Sequence, residues 1–206
     1  QTLFSVAGFA DERAIAKGDS TADKARNRRI DIRFIMAPAS QLRITPLPAY
    51  EAPDGVERPP VAYGRQLRFG SGLASSAYLA EGWWPPERWG IWAEQTDARL
   101  VLPLSSPPRG DLLLEIRGAG FVAEEAPNRG YEVLVGDRVV DEFTLSWPDN
   151  AINRQITIPA RLLSGGDTLN LTLRADQLIS PQGAGHSTDP RPLGFGLESI
   201  QLREIR

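Results

Sequence analysis

The chain has 206 residues, which is enough for one medium domain and an additional segment. Its net charge of -3 supplies no basic field that would attract nucleic acid, and no apolar run reaches the roughly 18 residues of a transmembrane helix. The absence of cysteine and the single histidine, His186, exclude disulfides, thiolate chemistry and multi-histidine metal sites, so we expect no cofactor and no metal.

The first segment, residues 1–36, contains strand patterns and one helix candidate over residues 20–28, where Ser20 or Thr21 would cap a short helix. The run VAGFA at residues 6–10 reads as a strand end. The run KARNRR at residues 24–29 falls in the helix, and residues 30–36 form a last strand. The pattern predicts two strands and one helix.

These motifs resemble the final part of an OmpA-like domain, the family that attaches outer-membrane and motor proteins to peptidoglycan. In that family the stretch that binds the peptidoglycan stem would precede residue 1, so no ligand contact is carried over to this segment. The resemblance implies a partial OmpA-like segment and a bacterial cell-envelope setting.

Residues 37–62 are rich in proline, which removes backbone donors and biases its neighbours toward extended conformations. We expect a linker or an extended arm that runs over a surface. It separates the first segment from a second domain, residues 63–206.

The second domain shows short apolar runs with period-two alternation, separated by turn signals. Leu169, Leu171 and Leu173 share one face of such a run, and Gly136 supplies the turn of a hairpin. This spacing predicts a mainly β fold, an antiparallel β-sandwich or jelly roll, with a short N-terminal α+β segment. The predicted strands lie in residues 111–118, 131–135, 139–144, 167–175 and 194–205, and residues 154–163 are predicted as a strand followed by a short turn.

The run GWWPPERWGIW at residues 82–92 and the loop SPQGAGHSTDPRPLGFGLESI at residues 180–200 resemble motifs of β-sandwich domains fused to envelope glycosyltransferases and phosphoglycerol-type transferases. They are also similar in outline to jelly-roll carbohydrate-binding modules. The resemblance implies a sandwich fold, and fold alone does not establish function.

Residues 82–92 hold four of the five tryptophans, and aromatic rings stack on the flat C–H faces of sugars. We expect Trp83 and Trp92 to pack under the sheet, and Trp84 and Trp89 to be partly exposed. Polar residues of the loops would read sugar hydroxyls. The predicted ligand-binding residues are Trp84, Glu87, Arg88, Trp89, Trp147, His186, Asp189 and Arg191.

Some of these residues have an equally good structural interpretation. Asp189 and Arg191 can form an ion pair that pins the loop over residues 176–193, and Glu87 can join it. His186 lies among small polar residues and reads as a solvated loop residue.

Nothing in the sequence specifies catalysis. A nucleophile elbow, a phosphate loop and a dinucleotide fingerprint are all missing. Glu87 and Asp189 could serve as a carboxylate pair only if their spacing were right, so we assign no catalytic residue.

The sequence thus predicts a non-catalytic module of the bacterial cell envelope that binds a glycan or cell-wall polysaccharide. One alternative is a protein-interaction or structural module of an envelope assembly, and another is an accessory domain of a hydrolase or transferase. The expected partner is a polysaccharide or an envelope protein. The expected location is the periplasm, outer membrane or cell surface of a Gram-negative bacterium.

Overall fold

The computed structural model describes residues 4–8, 30–34, 57–163 and 166–205. The chain forms two compact units, Gln1–Thr45 and Pro46–Arg206. In the first unit, β1 (Phe4–Gly8) and β2 (Ile30–Phe34) pair antiparallel, with Phe4 opposite Phe34. These are the two strands predicted there. The helix candidate at residues 20–28 and most of the predicted arm, residues 37–56, lie outside the described residues.

The described part of the second unit is almost entirely β-structure, with two short 3₁₀ helices at Ala74–Tyr78 and Ala160–Leu162. No helix in the described residues is long and apolar enough to cross a membrane. The strands are β3 (Gln66–Arg68), β4 (Ile91–Trp92), β5 (Asp97–Pro103), β6 (Leu112–Gly120), β7 (Asn128–Val135), β8 (Arg138–Ser146), β9 (Ala151–Ile158), β10 (Thr168–Ala175) and β11 (Phe195–Glu204).

Two antiparallel sheets build the second unit. The four-stranded sheet has the order β5-β10-β7-β8, and the five-stranded sheet has the order β3-β11-β6-β9 with β4 also paired to β11. Apolar side chains from both sheets form one core. The predicted class, a mainly β antiparallel sandwich, is confirmed.

Alternation of apolar and polar residues positions the strands. Leu169, Leu171 and Leu173 of β10 are buried, as their period-two spacing predicts. The predicted β7–β8 hairpin turns at Gly136, whose φ of 57° is a conformation that glycine adopts at low cost. In the core, the ring of Phe195 on β11 meets Tyr131 on β7 edge-on, with centroids 5.4 Å apart.

Val61 is a buried core residue, and its backbone N–H donates to the carbonyl of Pro103 at 2.7 Å. The end of the proline-rich stretch is therefore part of the sandwich. At the edge between β8 and β9, Arg154 donates to both carboxylate oxygens of Asp141 at 2.8 and 2.9 Å. This bidentate pair joins the two sheets where no strand does.

Candidate functional site

The tryptophan-rich segment folds back on itself as an irregular hairpin. The backbone N–H of Trp84 donates to the carbonyl of Trp92 at 2.9 Å, and the backbone N–H of Glu87 donates to the carbonyl of Gly90 at 2.8 Å. Residues 87–90 form its tip. Its second arm is β4, where Ile91 is fully buried and the next residue, Trp92, therefore points to the outer face of the five-stranded sheet.

Two predictions about the tryptophans are confirmed. Trp83 has no exposed surface, and its indole N–H donates to the carbonyl of Arg99 at 2.8 Å. Trp89 is 36% exposed, and its indole N–H donates to Glu87 Oε2 at 2.9 Å. Trp83 is thus a core residue, and Trp89 presents a fixed aromatic surface.

Two predictions were wrong. Trp84 is only 4% exposed, because its indole lies beneath the end of the 176–193 loop and donates to the carbonyl of Pro192 at 2.9 Å. Trp92 is half-buried on the outer face rather than packed under the sheet. Its ring lies edge-to-face with Trp89, at a centroid distance of 5.1 Å. The exposed aromatic pair is therefore Trp89 and Trp92.

The charged residues predicted near the tryptophans form one network. Arg191 Nη2 lies 2.7 Å from Asp189 Oδ2 and 2.8 Å from Glu87 Oε1. Hydrogen bonds from Arg191 lower the pKa of Asp189, so that carboxylate stays ionised at neutral pH. The guanidinium also lies 5.9 Å from the Trp84 ring centroid. The predicted structural ion pair, including Glu87, is confirmed, and it fastens the 176–193 loop to the tryptophan hairpin.

The remaining predicted residues lie on three different loops. His186 is exposed, as predicted, and its ring meets Phe121 at a centroid distance of 5.7 Å. Trp147 is 44% exposed in the β8–β9 loop and makes no ring contact with another described tryptophan. Arg88 is exposed at the hairpin tip without a described hydrogen-bond or ion-pair partner. No hydrogen bond, ion pair or ring contact joins His186 or Trp147 to Trp89 among the described residues.

A buried arginine that the sequence did not reveal holds the same loop from inside. Arg129 on β7 is fully buried, donates to the carbonyl of Leu193 at 3.1 Å and lies 3.6 Å from Asp176. It therefore ties together the two ends of the 176–193 loop. Burial raises the pKa of the neighbouring Tyr131 to about 12, which keeps that phenol neutral beside the guanidinium.

Small residues form a row on the outer face of the five-stranded sheet, directly beside Trp92. Trp92 of β4 pairs with Gly196 of β11, Gly196 pairs with Ala119 of β6, and Ala119 pairs with Ala151 of β9. Directly paired residues share one face of a sheet, so the four positions form a line across four strands. We call the row Gly196, Ala119 and Ala151 the small-residue trough.

Gly196 leaves the space that the indole of Trp92 occupies. A Cβ atom at Gly196 would lie 2.6 Å from Cζ3 of Trp92, closer than side chains tolerate. The absence of a side chain thus lets the ring of Trp92 lie over the backbone of β11. Because neighbouring strands are about 4.8 Å apart, the row from Gly196 to Ala151 is about 10 Å long, and its Gly196 end lies beneath the indole of Trp92.

Polar side chains border the trough. In the next row along the strands, Arg117 of β6 stands opposite Asn153 of β9 on the same face. Both are exposed, and neither has a side-chain hydrogen-bond partner among the described residues. Farther along, Glu115 accepts a hydrogen bond from Gln155 at 3.1 Å and pairs with Arg203. The face therefore combines an aromatic wall, a flat floor and free polar groups.

A separate groove of about 480 Å³ lies on the outer face of the four-stranded sheet. No aromatic residue lines it. Its central cation, Arg174, is paired with Asp97 at 2.7 Å and Glu132 at 3.0 Å, and hydrogen bonding from Arg174 lowers the pKa of Asp97. Because no aromatic ring lines this groove, it offers a sugar no surface for stacking.

No protein family and no curated protein matches the sequence. Among solved structures, the chain has a weak likeness to BtGH115A, a family GH115 4-O-methyl-α-glucuronidase with specificity for decorated arabinogalactans. The TM-score is 0.34 and the identity 12%, and the match covers 90% of this chain and 21% of that chain. A likeness this weak shows neither a shared fold nor enzymatic function. Within the described residues no cluster of His, Asp or Glu could hold a metal ion.

Proposed function

We propose that the second unit is a non-catalytic glycan-binding module that uses the outer face of its five-stranded sheet. The observation that carries this proposal is the aromatic pair Trp89 and Trp92 standing beside the small-residue trough. One sugar ring stacks against the indoles, and the chain of sugars continues across the trough.

The chemistry of this face suits a saccharide. A pyranose ring buries its flat C–H face well against an indole, while its hydroxyls need hydrogen-bond partners. The trough lets a ring approach the sheet closely because no side chain longer than a methyl group projects there. Arg117 and Asn153 then offer free donors and an acceptor at its border.

The network at the hairpin supports a binding role over a catalytic one. Glu87 and Asp189, the carboxylates considered as a catalytic pair, share one guanidinium, that of Arg191. A general acid needs a raised pKa, whereas Arg191 lowers the pKa of Asp189. Both carboxylates are better suited to positioning the hairpin, and with it Trp89.

The setting we propose is the bacterial cell envelope, with a cell-wall or surface polysaccharide as the ligand. This part of the proposal is supported by the resemblance of residues 4–36 to the end of an OmpA-like domain. A protein partner on the same face is the competing possibility, and the binding experiment below separates the two.

Replacing Trp92 with alanine is expected to weaken polysaccharide binding at least about tenfold, because a stacked aromatic anchor carries much of such an interface. Ala119→Leu is expected to do the same by filling the floor of the trough. Trp147→Ala, which removes an exposed indole of the β8–β9 loop, is the matched control and should leave affinity unchanged. Affinity electrophoresis against a panel of soluble polysaccharides measures all three, with thermal melts confirming that each variant is folded.

The opposite pattern would place the site elsewhere. Full binding by Trp92→Ala and Ala119→Leu, with loss in Trp147→Ala, would move the ligand to the loops. If the wild-type protein binds none of the polysaccharides, the protein-interaction alternative is favoured.

A further inference from the structure

The charges on the trough face are unevenly satisfied. Two carboxylates there already have partners, since Glu115 pairs with Arg203 and accepts a hydrogen bond from Gln155, and Glu198 lies 3.7 Å from Arg68. Two nearby arginines, Arg117 and Arg88, have no such partner among the described residues.

Arg117 is exposed on the central strand β6 and has no ion-pair or hydrogen-bond partner in the described part of the chain. Arg88 is equally free at the hairpin tip, next in sequence to Trp89. Two unpaired guanidinium groups are therefore available near the aromatic pair and the trough, although the whole chain carries a formal charge of -3.

Arg117 lies beside the path that a sugar chain would follow across the trough, in the neighbouring row of the sheet. It lies two residues from Ala119 on the same face of β6, about 7 Å away along the strand. A ligand that stacks on Trp92 and continues over the trough passes beside this guanidinium. Guanidinium recognises a carboxylate through two parallel hydrogen bonds, with a geometry that a neutral hydroxyl cannot reproduce.

We infer that the trough selects an acidic polysaccharide, one whose sugar units carry carboxylates, and that Arg117 binds the carboxylate. This inference rests on the proposed function, because it uses the same face and the same aromatic pair. Trp89 and Trp92 supply affinity for the ring, and Arg117 supplies the preference for a charged ring over a neutral one.

The test compares one polymer in two charge states. Polygalacturonate and its carboxyl-reduced neutral form share a backbone and differ in the acid group. The wild-type protein is expected to bind the acidic form about tenfold more tightly at low salt, which is the contribution of one charge-assisted pair. In Arg117→Gln this preference should vanish while the neutral form is bound as before. Arg109→Gln, which changes an exposed arginine in the β5–β6 loop, should keep the preference.

The outcomes separate the two proposals. Equal binding of both polymers by the wild type, or a preference that survives in Arg117→Gln, overturns the acidic selectivity and leaves glycan binding standing. If Arg117→Gln loses affinity equally for both polymers, the acidic selectivity is also overturned, because Arg117 would then contact the sugar ring and not the carboxylate. If neither polymer binds, or Trp92→Ala changes nothing, the proposed function itself fails. A sulfated galactan of the same charge, if bound as well as polygalacturonate, would contradict selection for carboxylate.

Discussion

Trp83→Ala is expected to lower the free energy of unfolding by about 3–5 kcal/mol, the usual loss for a fully buried aromatic residue. The indole has no exposed surface and belongs to the core shared by both sheets. Its removal leaves a cavity and deprives the carbonyl of Arg99 of its indole donor. Urea denaturation followed by circular dichroism measures the change.

The matched control is Trp89→Ala, which removes the same side chain from the hairpin tip. It should cost about 1 kcal/mol or less, since the loss is limited to an aromatic contact and one exposed hydrogen bond. Similar losses for the two variants would refute the division of the tryptophans into core and surface.

Gly118→Ala is the second substitution with a large expected effect. A Cβ atom at this position on β6 would lie 1.9 Å from the carbonyl oxygen of Gly196 on the adjacent strand. Because that atom belongs to the backbone, the two strands must separate beside the register shift in β11. We expect a loss of about 3 kcal/mol, at the upper end of overpacking effects, together with weaker glycan binding.

Ala151→Ser provides the comparison for Gly118→Ala. It also adds one heavy atom to the same sheet, but at an exposed position, where surface substitutions stay within about 0.5 kcal/mol. A Gly118→Ala protein as stable as Ala151→Ser would show that β6 and β11 are not as closely apposed as described.

Most strands of the second unit, β6 to β11, were predictable because each depends on local alternation. The apolar face of β10 and the glycine turn of the β7–β8 hairpin are both visible in short stretches of sequence. It was not predictable in this way that Trp84 would be buried and that Trp92 would lie on the outer face. It depends on how β4, a strand of two residues, pairs with β11, more than 100 positions later.

The candidate site shows the same limit. The ion pairing of Glu87 with Asp189 and Arg191 could be predicted, because carboxylates and guanidinium groups attract each other. In the structure Arg191 contacts both carboxylates. The trough could not be predicted, since Gly196, Ala119 and Ala151 come from three strands. Only the register between those strands places the three residues in one row. Arg129 was missed because it precedes the predicted strand at residues 131–135, and because a charged residue ordinarily indicates an exposed position.

The most direct test of the account follows the five indole N–H resonances by NMR during titration with polygalacturonate. The trough proposal predicts that the signals of Trp89 and Trp92 shift progressively, while those of Trp83, Trp84 and Trp147 stay in place. Shifts at Trp147 with no change at Trp89 and Trp92 would contradict it, because the ligand would then lie at the loops and not on the sheet.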